Sequence, residues 1–454
     1  EGVENEQYLS GHSWLLRGLC EHYAWKGDQE SLGLVKRIVK GLVLPAKGRY
    51  AGYPIRAEDR PKTGGVAGNI THTVNGWELS SDVGCAFIML DGATRAWEVA
   101  PSPELEGVIR EMIARYGEID LVKVGAQTHA TLSAMRGVLR FYATHRDPAY
   151  LELVKRNFGL YWEKATTEHY ANYNWFGRPE WTEACAVVDS MMLAEQLYGV
   201  TGEVGYLEDA QLIYYNALCH AQRPNGGFGC DVCTGANEKM LEVKAHAIYE
   251  APFCCSMRGA EGLTAAGTYS YLVGESGVML PFYFDNTATL RVGGGVMKVM
   301  ETTGYPLEGS VSMTVLDSTA NGEVEVSFFV PSWVPAGSVK VVVNDKGVEG
   351  EVEGSFFKVK RVWEKGDQVR VSFDEPLRRE SALHPKLVGG RGRYFQGPML
   401  LSATGATTRP AEEFVKIGAG RYRAKDGGEL APIGEGTYWS DEQVKAGREL
   451  LFAQ

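Results

Sequence analysis

From about residue 9 to residue 275 the apolar positions recur at three- and four-residue intervals, as in Trp14, Leu15, Leu19 and Tyr23, and again in Leu132, Met135, Val138, Leu139 and Tyr142. That period stacks side chains on one face of a helix, so this part of the chain predicts helices. Further amphipathic segments over 29–43, 83–98, 104–115, 147–163, 186–199, 205–221 and 259–273 are joined by loops containing Gly, Pro and Asn. Paired antiparallel helices in this number point to an α/α toroid. Past about residue 278 the period falls to two: Val324, Val326 and Phe328 alternate with polar residues, as do Val369, Val371 and Phe373. Turn signals at Gly293-Gly294-Gly295, Asn344-Asp345 and Lys365-Gly366-Asp367 follow at short intervals, which suits a β-sandwich. Helices first and strands second means separate domains. The expected division is a helical domain over 1–277, a β-sandwich over 278–400 and a C-terminal β segment over 401–454 with too mixed a pattern for a more specific assignment.

Length supports that division, because 454 residues exceed what one hydrophobic core usually serves. A net charge of -11 disfavours nucleic acid as a partner, since phosphate-backbone binding needs a basic patch. No apolar run reaches the roughly 18 residues that span a bilayer, so no membrane partner is expected. Eight cysteines are too sparse for a disulfide scaffold in a chain of this length, and their clustering late in the first half points to metal or redox chemistry.

Two of those clusters carry the chemistry. Glu183-Ala184-Cys185 precedes one predicted helix, and Cys254-Cys255 follows the turn-prone Glu250-Ala251-Pro252-Phe253 and precedes another. Residues two apart face the same way only in extended chain, so Glu183 and Cys185 can converge only ahead of the helix proper. One Glu and three Cys supply four anionic ligands of the number and softness that tetrahedral Zn²⁺ prefers. Cys230-Asp231-Val232-Cys233 is a rival pair, because C-x-x-C spacing is common in zinc and redox sites. Cys20 and Cys219, within apolar helical patterns, read as core. Trp162, Trp175 and Trp181 flank the candidate site, where stacking on sugar and simple core packing are both open to them.

The order of several further stretches resembles glycoside hydrolase family 127 and its relatives, typified by β-L-arabinofuranosidases. They are Thr182-Glu183-Ala184-Cys185-Ala186, the run from Thr201 to Asp209 with Tyr215-Asn216 after it, and Cys254-Cys255. Thr303-Gly304-Tyr305-Pro306 with Gly309, Pro331-Ser332-Trp333, Arg361-Val362-Trp363 with Gly366-Asp367, and Gly397-Pro398 follow in the β half. The resemblance implies an (α/α)6 barrel as catalytic domain followed by β-sandwich structure, and zinc on Glu183, Cys185, Cys254 and Cys255. It implies Cys254 as nucleophile, Glu168 as acid/base with Glu163 and Glu180 as rivals, and His129 as a sugar contact with His12 across the barrel mouth. It also shows departures: Gly84-Cys85 stands for a Gly-His pair, Gln211 for a glutamate, Arg258 for an asparagine, and Cys230-Asp231 occupies the region of a tyrosine. Gln211 and Asp231 thereby become expected substrate contacts, and the sugar is less certain than the chemistry.

The expected function is a retaining glycoside hydrolase, exo-acting on β-L-arabinofuranosyl or a related sugar of plant-type glycans. A thiolate is a strong nucleophile that is hard to keep deprotonated near neutral pH, and zinc keeps it so. Two other readings compete: a non-catalytic carbohydrate-binding protein with a closed structural zinc site, and a polysaccharide lyase or epimerase on the same toroid. The thiolates point to a reducing, cytoplasmic setting, with periplasm or secretion as the alternative where a leader has been removed. Oligomerisation is left open.

Overall fold

The computed structural model describes residues 2–60, 68–244, 249–252, 254–404, 413–425, 427–438 and 447–453, so parts of the expected C-terminal segment and Phe253 lie outside it. Its helices are α1 (Glu6–Lys26), α2 (Gln29–Ile38), α3 (Met89–Val99), α4 (Pro103–Gly117), α5 (Thr128–His145), α6 (Pro148–Lys164), α7 (Ala184–Thr201), α8 (Gly205–Ile213), the single turn α9 (Cys219–Ala221) and α10 (Cys255–Thr268). The described chain falls into two compact units, Glu1–Thr167 with Ala171–Val200, and Glu168–Tyr170 with Thr201–Gln454.

In the first unit five helices, α1, α2, α4, α5 and α6, begin where the sequence supplies a side-chain cap. Asn5, Asp28, Ser102, Gln127 and Asp147 each accept a hydrogen bond from a main-chain N–H of the first turn. The expected segment 29–43 breaks at residue 38 into a π turn, Val39–Val43, followed by a 3-10 turn containing Pro45, which cannot continue an α-helical ladder. Helix α5 packs against both α3 and α6 and is buried from Thr128 to Leu139. Its approach to α3 needs Gly137, where a Cβ would run into the main chain of Leu90 and Asp91. Among the described residues no helix is long and apolar enough to cross a membrane.

The second unit holds α8 to α10 and, apart from the two-stranded pair Ile70–Val74 and Trp77–Ser80 in the first unit, the strands. A six-stranded sheet runs 346–348, 340–343, 368–372, 310–318, 295–303, 286–292, and a five-stranded sheet runs 352–353, 356–361, 324–329, 277–280, 272–273. Alternate residues are buried on both, Val311, Met313 and Val315 on one and Val324, Val326 and Phe328 on the other, which is the period-two pattern read from the sequence. The segment 259–273 was expected as helix throughout, yet its end forms a strand at Leu272–Val273 that pairs with Val278 and Met279. Aromatic and β-branched residues from Tyr269 to Val273 favour that switch. A third sheet combines strands from Leu377 to Pro432, with 448–449 and 242–243 joining off its main path, over a core of Tyr394, Leu401, Phe414, Tyr422, Leu430 and Phe452.

The landmarks scattered through the second unit meet one another. Asn216 donates to Pro398 O at 2.8 Å and accepts from Leu400 N at 2.7 Å, so its amide completes the turn at Gly397-Pro398. Tyr305, ahead of a cis Pro306, stacks edge-on against Tyr215 and Tyr283 and donates its hydroxyl to Gln211.

Candidate functional site

Helix α7 starts one residue after Glu183, whose carbonyl accepts the first helical hydrogen bonds, from Ala186 N at 3.0 Å and Val187 N at 3.2 Å. Glu183 therefore lies just before the helix while Cys185 is its second residue, so the pair straddles the helix start instead of lying wholly ahead of it as the spacing predicts. Cys254 caps α10 with non-helical angles, Cys255 is its first residue and buried, and the two sulfurs lie 3.9 Å apart. Glu183, Cys185, Cys254 and Cys255 form a group whose potential ligand atoms all lie within 4.8 Å of one another. One carboxylate and three thiols are a soft, anionic donor set, the chemistry that fits a tetrahedral Zn²⁺ rather than Mg²⁺ or Ca²⁺. The rival pair Cys230 and Cys233 is buried and not part of this group. Cys20 and Cys219 are also separate from it, and burial pushes each of these thiols up to about 12, as expected of core residues.

His129, one residue into α5, is nearly buried and donates through Nδ1 to Asp189 Oδ2 at 2.8 Å. Asp189 also accepts from Ser133 Oγ at 2.6 Å and from Arg136 Nη1 at 2.6 Å, so three partners from α5 converge on one carboxylate of α7. Asp189 lies four residues after Cys185 and so shares its helix face. The i,i+4 spacing was visible in the sequence, but its use was not. The ring beside His129 belongs to Trp14, edge-on at 5.3 Å.

His12 does not fill that place. It is half-buried, its Nδ1 bonded to Tyr8 O at 2.9 Å, and lines a groove of about 380 Å³ with Leu15, Leu19, Leu34 and Ile38. Residues two apart on a helix point to different sides, and α1 turns Trp14 rather than His12 toward α5.

Three other expected residues are engaged within the second unit. Glu168 is fully buried, its two oxygens accepting from Leu383 N and His384 N at 2.7 Å each, with Arg393 Nε at 3.5 Å. Gly235 packs on its stem so tightly that a Cβ there would collide with Glu168 Cγ. Glu168, the expected acid/base, is therefore held by main chain on both oxygens inside the second unit. The rivals Glu163 and Glu180 sit at the surface, paired with Lys164 and Arg178 at 2.6 Å. Gln211 donates to Pro281 O at 2.8 Å and accepts from Tyr305, which spends both ends of its amide inside the fold. Asp231 forms a buried ion pair with Arg223, at 3.0 and 3.2 Å. Gln211 and Asp231, the expected substrate contacts, thus have protein partners within the second unit. Trp175 is core too, its indole N–H bonded to Ser81 O at 3.1 Å and its ring against Trp181.

Residues 277–375 match the family described as "Beta-L-arabinofuranosidase, GH127 middle domain". No curated protein matches the chain. Among solved structures the chain is similar to a GH127 β-L-arabinofuranosidase from Geobacillus stearothermophilus T6, with a TM-score of 0.65 and 14% identity over 90% of this chain and 69% of that one. It is also similar to a second GH127 β-arabinofuranosidase, at TM-score 0.59 and 14% identity over 99% and 88% of the two chains. A structure described as a glycoside hydrolase matches at TM-score 0.55 and 16% identity, over 98% and 92%. Residues 277–375 thus carry a match to the family's middle domain, and the fold along nearly the whole length is similar to that of these solved structures.

Proposed function

We propose that the chain is a retaining glycoside hydrolase, exo-acting on a terminal β-L-arabinofuranosyl or closely related sugar, with its helices completing an (α/α)6 barrel and Cys254 as its nucleophile. The observation that carries the reading is the group formed by Glu183, Cys185, Cys254 and Cys255, which holds one zinc ion in this account. Bound zinc would supply the charge that keeps these thiols deprotonated near neutral pH. Cys254 attacks the anomeric carbon and forms a thioglycosyl bond as the leaving oxygen departs, and water later releases the sugar with its configuration retained. Glu183, Cys185 and Cys255 hold the site together while Cys254 is engaged with sugar. His129, fixed through Nδ1 by Asp189, presents Nε2 to a sugar hydroxyl.

A second reading has its own support. Glu168, Gln211 and Asp231, the expected acid/base and two expected sugar contacts, each hold hydrogen-bonded partners within the second unit. That favours a protein that binds sugar without turning it over.

A panel of aryl glycosides of L-arabinofuranose and of deoxy and galacto-configured sugars, assayed with bound zinc quantified in the same sample, tests the proposal. One zinc per chain and turnover of one β-configured glycoside, with a β-configured first product, are expected. One zinc with sugar binding and no turnover on any member would support the second reading.

A further inference from the structure

The geometry points to Gln127 as the positioning residue that sets the direction of the Glu183 carboxylate. The inference rests on reading Glu183 as a metal ligand. Gln127 is buried and caps α5, its Oε1 accepting from Ala130 N at 2.7 Å. That bond fixes which end of the amide is which, because Ala130 N can only donate. The opposite end, Nε2, therefore faces Glu183 as a donor, 3.0 Å from Oε2. A hydrogen bond to one carboxylate oxygen holds the plane of the group and so aims the other oxygen.

The main chain of Glu183 is held from the same turn of helix. Glu183 N donates to Asn172 Oδ1 at 2.9 Å, and Asn172 Nδ2 donates to Thr128 Oγ1 at 2.9 Å. Thr128 Oγ1 in turn donates to Tyr173 O at 2.7 Å. Two consecutive residues of α5, Gln127 and Thr128, thus fix both the backbone and the side chain of Glu183. Such outer partners fix ligand orientation, and losing one typically weakens metal binding about 10- to 100-fold.

Gln127→Ser separates this role from the helix cap. Serine is a good cap residue, so the bond from Ala130 N is kept, but it is too short to reach Glu183. Gln127→Asn, with the donor drawn back by one methylene, is the second variant. Zinc affinity is measured by competition with a chromogenic chelator, and the metal-free proteins are melted in parallel. We expect zinc affinity to fall about 10- to 100-fold in both variants, with the metal-free melting temperature unchanged. Zinc affinity equal to the parent protein's in both variants would overturn the inference and leave the proposed function standing. Variants whose metal-free melting temperature drops sharply would overturn it too, by showing a role in the fold. A parent protein that binds no zinc removes the metal reading itself, and the inference with it.

Discussion

Cys254→Ala protein is expected to lose hydrolysis of the best glycoside by about 10⁴-fold or more in kcat, the scale seen when a covalent nucleophile is removed. Binding of the same sugar should change little, because the nucleophile contributes to the transition state rather than to the bound ground state. Zinc should remain, more weakly held, on Glu183, Cys185 and Cys255. The contrast with Cys185→Ala is informative. Cys185 is buried at the start of α7 and holds no bond to sugar in this account, so its loss should act through zinc content, with activity and metal falling together. If Cys254→Ala keeps full activity, Cys254 is not the nucleophile.

The second large effect concerns Glu168, and here stability is what should change. In Glu168→Gln one main-chain N–H, of Leu383 or His384, faces an amide N–H instead of an oxygen, and Arg393 is left without its buried counter-charge. Breaking a buried ionic contact by removing one partner costs about 3–5 kcal/mol. For a unit of this size that lowers the melting midpoint by about 6–20 °C. Thermal melts of the metal-loaded protein check this. A variant that melts with the parent protein yet loses activity, and loses the alkaline limb of its kcat/KM pH profile, would instead assign Glu168 as acid/base.

What could be read along the chain was what depends on near neighbours. The change of period near residue 278 and the placement of Glu183 ahead of α7 both follow from residues within one turn or one strand of each other. The Glu-x-Cys and Cys-Cys pairs were legible for a different reason: few other arrangements of residue types offer a zinc ion its preferred donors. The partners of Glu168 lie more than 200 residues away, at 383, 384 and 393, and no local pattern announces them. The partners of Gln211 and Asp231 are hidden on the same grounds, since a polar residue in a helix or loop looks alike whether it meets a sugar, Tyr305 or Arg223. His12 failed on geometry: the helical pattern placed it on α1, but which face of α1 looks toward α5 is settled by packing, and packing chose Trp14. Gln127 was overlooked because a glutamine cap is unremarked until both ends of its amide are seen to be used.

X-ray absorption at the zinc edge of the purified protein tests the four-ligand site most directly. The account predicts one zinc per chain with three sulfurs at about 2.3 Å and one oxygen at about 2.0 Å. A shell with a single sulfur or none, or a zinc-free protein that hydrolyses the glycoside at full rate, would contradict it.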